Sequence, residues 1–183
     1  MQNTIRSHTQ AAHNRPRHRR TLLIAAAVIV VIAGWYLFRP ERLVINHTVS
    51  ETFPGSTTPH MTASSPSPMV LSQGHFHGVA HGTKGLATIY QLPDGKRALR
   101  LTEFETSNGP DVQVYLVAAA DATNNETVTT AGFIHLGALK GNIGDQNYDV
   151  PANVDLTKYQ SVTIWCRRFG VNFGTAPLST QRS

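Results

Sequence analysis

The pattern of apolar and polar positions divides the chain into two textures. From Thr21 to Phe38 (TLLIAAAVIVVIAGWYLF) 18 residues run without a charge. A helix of that length rises roughly 27 Å, close to the thickness of a bilayer's hydrocarbon core. The run is apolar on all sides, so as the core helix of a soluble protein it would need a large fold around it. From about 71 to 178, short apolar runs alternate with breakers. The runs predict strands over 73–79, 85–92, 97–105, 112–118, 132–138, 147–150, 161–167 and 171–176. LATIYQL, VQVYLVA and SVTIWCRR are rich in β-branched and aromatic residues, which suit a pleated surface. Pro93-Asp94-Gly95, Asn108-Gly109-Pro110, Asn124-Asn125 and Gly141-Asn142 punctuate them. No window in this region keeps a 3.6-residue period, and only Asp155–Tyr159 suggests a turn of helix. The expected architecture is an all-β, antiparallel sandwich or barrel-like domain of about eight strands, preceded by one N-terminal transmembrane helix.

Charge gives the first segment a direction. The chain carries 16 Lys plus Arg against 11 Asp plus Glu, a net charge of +5. Residues 1–20 hold Arg6, Arg15, Arg17, Arg19 and Arg20 and no acid. Removing those five leaves 11 bases against 11 acids in the rest of the chain. The excess is thus a tail, and it predicts a cytoplasmic N-terminus before a signal-anchor over 21–38. A cleaved signal peptide is the alternative, but Trp35-Tyr-Leu-Phe-Arg-Pro-Glu41 follows the apolar run where small residues would mark a cleavage site. Residues 39–70, dominated by Thr, Ser and Pro, read as an extended stalk. Residues 71–178 read as the exported domain, extracellular or periplasmic, and 179–183 as a C-terminal tail. The exported domain holds eight bases and nine acids, which gives no basic face for nucleic acid. Asn46-His-Thr and Asn125-Glu-Thr match the glycosylation sequon.

One cysteine, Cys166, excludes an intramolecular disulfide, a four-cysteine zinc site and a C-x-x-C-H haem attachment. In a strand, Cys166 shares a face with Val162 and Ile164, while Thr163, Trp165 and Arg167 take the other. Two readings follow. Cys166 is a small buried hydrophobe of the core, or it is a redox thiol or cofactor ligand beside the positive charge of Arg167 and Arg168. In Gly74-His-Phe-His-Gly78, His75 and His77 fall on one strand face with His81 just beyond, a low-specificity pattern for a metal. The competing reading is the wet face of an edge strand. His135 lies in another strand and reaches the others only through folding. Leu136-Gly-Ala-Leu-Lys-Gly-Asn-Ile-Gly144 lacks the Lys-Ser/Thr that opens a helix in a phosphate loop, so its glycines serve a tight turn. Asp145 and Asp149 are too few to make a cation loop. Glu103, Glu105 and Asp111 alternate with apolar residues as exposed strand acids do. No hydrolase or transferase motif is present.

Three blocks carry a family resemblance: Glu103-Phe-Glu-Thr-Ser-Asn-Gly-Pro-Asp-Val-Gln-Val-Tyr-Leu116, Leu136 to Pro151 (LGALKGNIGDQNYDVP), and Val162 to Ala176 (VTIWCRRFGVNFGTA). In this order the chain resembles the electron-transfer DM-thirteen domain over about 72–178, with Gly74-His-Phe and His81-Gly-Thr-Lys-Gly85 resembling its opening strands. The resemblance implies a compact β-sandwich-like domain outside the cytoplasm. It also implies a signature cysteine in the last block, which falls on Cys166, for redox chemistry as a bare thiol or as ligand to a group such as haem. The resulting expectation is a membrane-anchored redox or electron-transfer accessory acting through Cys166, with haem or a metal as the candidate cofactor, His75, His77 and His81 as candidate metal ligands, and an unidentified redox or cell-surface protein as partner. The alternative is a non-catalytic binding or adhesion module in which Cys166 is buried and structural.

Overall fold

The computed structural model describes residues 15–38, 45–54 and 67–180. Two units are distinct, one ending at Arg39 and one beginning at Pro40. The first is helix α1 (Arg15–Phe38). Its span Arg19–Tyr36 is long and apolar enough to cross a membrane, and none of that span is buried against protein. Every side of it carries Leu, Ile, Val or Ala, so lipid is the solvent that suits it.

The second unit is two packed β-sheets. Its strands are β1 (Thr48–Ser50), β2 (Met69–His75), β3 (His77–Gly78), β4 (Lys84–Gln91), β5 (Arg97–Glu105), β6 (Val112–Val117), β7 (Phe133–Ala138), β8 (Ile143–Val150), β9 (Ser161–Cys166), β10 (Val171–Pro177) and β11 (Ser179–Thr180), with helix α2 (Asn125–Thr130) between β6 and β7. One sheet has the order β1-β8-β5-β4-β2-β11 and the other β3-β10-β9-β6-β7. The arrangement is a sandwich and not a closed barrel.

Alternation builds the core. Ala87, Ile89, Leu99, Leu101, Tyr148 and Val150 come from one sheet; Val112, Val114, Leu116, Val162, Ile164 and Phe173 come from the other; all join one buried cluster. Each fully buried aliphatic side chain contributes about 1.5–3 kcal/mol of transfer free energy. A smaller cluster of Tyr115, Val117, Ala122, Val128 and Trp165 covers the outer face of the second sheet. For that reason β9 is buried along its whole length, on both faces.

Several local expectations differ from the structure. The strand expected over 73–79 breaks at Phe76: β2 belongs to the six-stranded sheet and β3 to the five-stranded one. Phe76 itself is buried, with its ring 5.3 Å from Phe104. Strand β8 begins four residues earlier than the expected 147–150, because Gly144 serves the ladder (φ +101°) instead of a turn. The single turn expected over Asp155–Tyr159 is present, its Asp155 carbonyl accepting from the Lys158 and Tyr159 amides without extending into a helix. Helix α2 is unforeseen. Asn124 N-caps it, accepting from the Thr127 amide at 2.8 Å, and Val128 is its buried anchor. Of the stretch expected as stalk, Thr48–Ser50 pairs with β8, and this pairing is parallel where antiparallel neighbours are expected; residues 39–44 and 55–66 lie outside the described residues. Ser179 and Thr180, expected in a tail, pair with Gln73 and Ser72.

Candidate functional site

Cys166 ends β9, paired with Val112 of β6 on one side and Val171 of β10 on the other. Alternation along Val162, Ile164 and Cys166 turns the thiol inward, where it is 0% exposed within the main apolar cluster. Arg167 follows on the opposite face. Its backbone amide donates to the Asp111 carbonyl, and its Nε donates to Asp111 Oδ2 at 2.9 Å. The guanidinium is therefore committed to a carboxylate at the surface.

The loop before β6 and the loop after β7 enclose an open cavity of about 390 Å³. Residues 107–113 form one wall and 138–142 the other, with Ile45 and His47 at the rim. Gln146, wholly buried, sets the second wall: its Oε1 accepts from the Tyr148 hydroxyl (2.7 Å) and the Lys140 amide (3.1 Å), and its Nε2 donates to the Gly141 carbonyl (2.9 Å). Burial pushes the Tyr148 phenol far above its ordinary range, so it remains a donor. On the first wall Gln113 Nε2 donates to Asp111 Oδ1, and Gln113 Oε1 faces His135 Nε2 at 2.8 Å. Val112, and not its neighbour Cys166, faces this cavity. A thiolate-ligated haem needs a large apolar cavity against the sulfur. Close-packed apolar side chains surround Cys166 instead, so these residues do not fit that group.

The histidines separate. His75 ends β2, exposed, across from Leu86. His77 lies in β3, its Nε2 3.0 Å from Asp121 Oδ2. The His81 ring packs on Phe173 with centroids 3.9 Å apart. The inward turn of Phe76 places His75 and His77 in different sheets, which undoes their expected common face. Among the described residues no group of three or more His, Cys, Asp or Glu is arranged to hold a metal ion. The strand acids are also engaged: Glu105 with Lys84 at 2.8 Å and Asp145 with Arg100 at 2.6 Å, while Asp149 is exposed. Of the sequons, Asn125 Oδ1 accepts from the Asn172 amide, and Asn46 Oδ1 accepts from Asn108 and Asn142.

Sequence reasoning missed Arg100, Lys140 and Asn147, which hold residues 51–52 against β8. A signal was present in the short β-branched run Thr48-Val-Ser50 and in glycines at 141 and 144 that make room for a neighbouring backbone.

No curated protein and no solved structure matches the chain. The model of one family, described as Electron transfer DM13, matches residues 75–178, the span that contains Cys166, both cavity walls and most of the sandwich, and the chain belongs to that family.

Proposed function

We propose that this chain is a membrane-tethered, extracytoplasmic domain of the electron-transfer family that serves as an accessory by binding a partner, with Cys166 in a structural role. One observation carries the reading: the only thiol is 0% exposed within the main core. A thiol that exchanges electrons or disulfides with another protein must be reached by it. The cavity between 107–113 and 138–142 is the place for binding, since it combines apolar wall with fixed amide and carboxylate groups. Redox chemistry at Cys166 is the second reading, favoured by membership of a family described by electron transfer.

Solubilised full-length chain distinguishes the two. We expect a colourless, metal-free protein whose thiol reacts with a chromogenic reagent only after denaturation. Native reactivity at Cys166, or absorbance bands of a bound cofactor, would overturn the structural role and support the redox reading.

A further inference from the structure

The edge of β8 is built to receive an extended backbone. Thr48–Ser50 lies parallel to Ile143–Asp145. The Glu51 amide donates to the Asp145 carbonyl at 2.9 Å, and the Ile143 amide donates to the His47 carbonyl at 3.4 Å. A parallel strand cannot arrive by a tight hairpin; it must come from a remote part of the chain. The groove admits main chain closely. A Cβ at Gly141 would run into the His47 carbonyl oxygen, and one at Gly144 into that of Val49. Most of the remaining contacts also read the backbone: Arg100 Nη1 donates to the Glu51 and Thr52 carbonyls at 3.1 and 3.3 Å, Asn147 Nδ2 donates to the Thr52 carbonyl at 2.9 Å, and Asn142 Oδ1 accepts from the His47 amide at 2.7 Å.

Three side chains are read as well, the first being Asn46, whose Oδ1 accepts from Asn108 Nδ2 and Asn142 Nδ2 at 3.0 Å each. The Glu51 carboxylate accepts from Lys140 Nζ (2.7 Å to Oε1, 3.0 Å to Oε2) and from the Asn147 amide (2.7 Å). The Phe53 ring stands edge-on to Tyr90, with centroids 4.9 Å apart, and 5.9 Å below the Arg100 guanidinium. Main-chain hydrogen bonds with pockets for a few side chains are how sheet edges recognise peptides. The division of the sequence agrees. Every groove residue named lies within the family-matched span 75–178, and every bound residue lies before it.

We propose that the β8 edge is a peptide-binding groove for an extended segment carrying a carboxylate and, two residues on, an aromatic ring, and that residues 46–53 of this same chain are its resident, releasable occupant. The inference is independent of the role of Cys166. In the docked state the occupant's covalent attachment supplies a high effective concentration; released, it frees a sheet edge for another peptide of the same chemistry.

The test converts the occupant into a true ligand. Site-specific protease sequences are placed within 39–44 and within 55–66 of the full chain, and both are cut. The probe is a fluorescent synthetic peptide of residues 45–54. We expect it to exchange into the cut protein saturably, while circular dichroism of the sandwich is retained, and its Glu51→Gln version to bind about three- to tenfold more weakly. Failure of the probe to enter a folded, cut protein would overturn the groove. Loss of the β signal once the segment departs would show an integral strand and would overturn releasability. Energy transfer between separately labelled, uncut copies would assign the occupant to a second copy and overturn the assignment to the same chain.

Discussion

Burial makes Cys166 a packing residue first, and this can be measured. Cys166→Ala removes one sulfur from a closed apolar cluster and should cost about 1–2 kcal/mol. Cys166→Ser has nearly the same size but leaves a hydroxyl among apolar atoms, so it should cost more than Ala. Urea midpoints of the three proteins give the order directly; a Ser variant as stable as wild type would show that the site is wet. A second single-atom constraint sits at Gly85. It holds φ +117°, and a Cβ there would stand 2.8 Å from Phe104 Cα and 2.9 Å from the Thr102 carbonyl oxygen. Gly85→Ala therefore meets both a disfavoured backbone and a rigid neighbour. It should destabilise by at least about 1–3 kcal/mol, measured by the same unfolding curves. The orientation of Cys166 was legible in the sequence, because Val162-x-Ile164-x-Cys166 is a plain period of two. The fate of the histidines was not. The same period applied to His75 and His77 assumes an unbroken strand, and it is Phe76, drawn into the core, that breaks it.

Elements were legible in proportion to how much of their stability is local. Strands β5, β6 and β9 were readable because their own β-branched and aromatic runs suit a sheet. Helix α2 was not, because Asn125-Glu-Thr-Val-Thr-Thr130 has poor helix propensity; its cap at Asn124 and the burial of Val128 hold it instead. Strand β1 was hidden for a related reason: its partner lies over ninety residues away, and it sits within a Ser/Thr/Pro-rich context. The docking of β1 should depend on pH. Burial alone would raise the Glu51 carboxyl, but hydrogen bonds from Lys140 and Asn147 outweigh it and hold the group below its ordinary 4.5. A lowered folded value means stabilisation that is fully present above the unfolded value and lost as pH falls through the folded one. The other charges at this edge are Arg100, which is paired with Asp145, and Asp145 itself. Because Glu51 and Lys140 remain 31% and 42% exposed, the Glu51 contribution is below about 1 kcal/mol. The hydrogen-exchange protection of the Glu51 amide should fall as pH drops below about 4.5, and Glu51→Gln should flatten much of that fall. Protection that holds to lower pH would show that the ladder to Asp145 suffices without the carboxylate.

For the whole molecule, charge and apolarity together carry the proposed topology. The five arginines before position 21 face a domain that is nearly neutral, and an uncharged span capable of crossing a bilayer separates them. Translocation of an arginine-rich end is unfavourable, and this supports the proposed orientation, with the N-terminus in the cytoplasm and the sandwich exported. This orientation also suits a single-cysteine domain, since an oxidising compartment has no second thiol to pair with Cys166 within the chain, and burial in the core keeps the thiol from pairing between chains. Two fusions at the C-terminus test it: alkaline phosphatase, active only outside the cytoplasm, and a fluorescent protein that matures within it. We expect phosphatase activity without fluorescence, and retention of the fusion in membranes after alkaline carbonate washing. Neutralising Arg15, Arg17, Arg19 and Arg20 together should shift part of the population toward the fluorescent state, because the flanking charge and not the apolar run sets direction. Fluorescence from the unmodified chain would place the sandwich in the cytoplasm and remove the basis for an extracytoplasmic accessory, whereas release by carbonate with the phosphatase still active would show that the helix is cleaved after export.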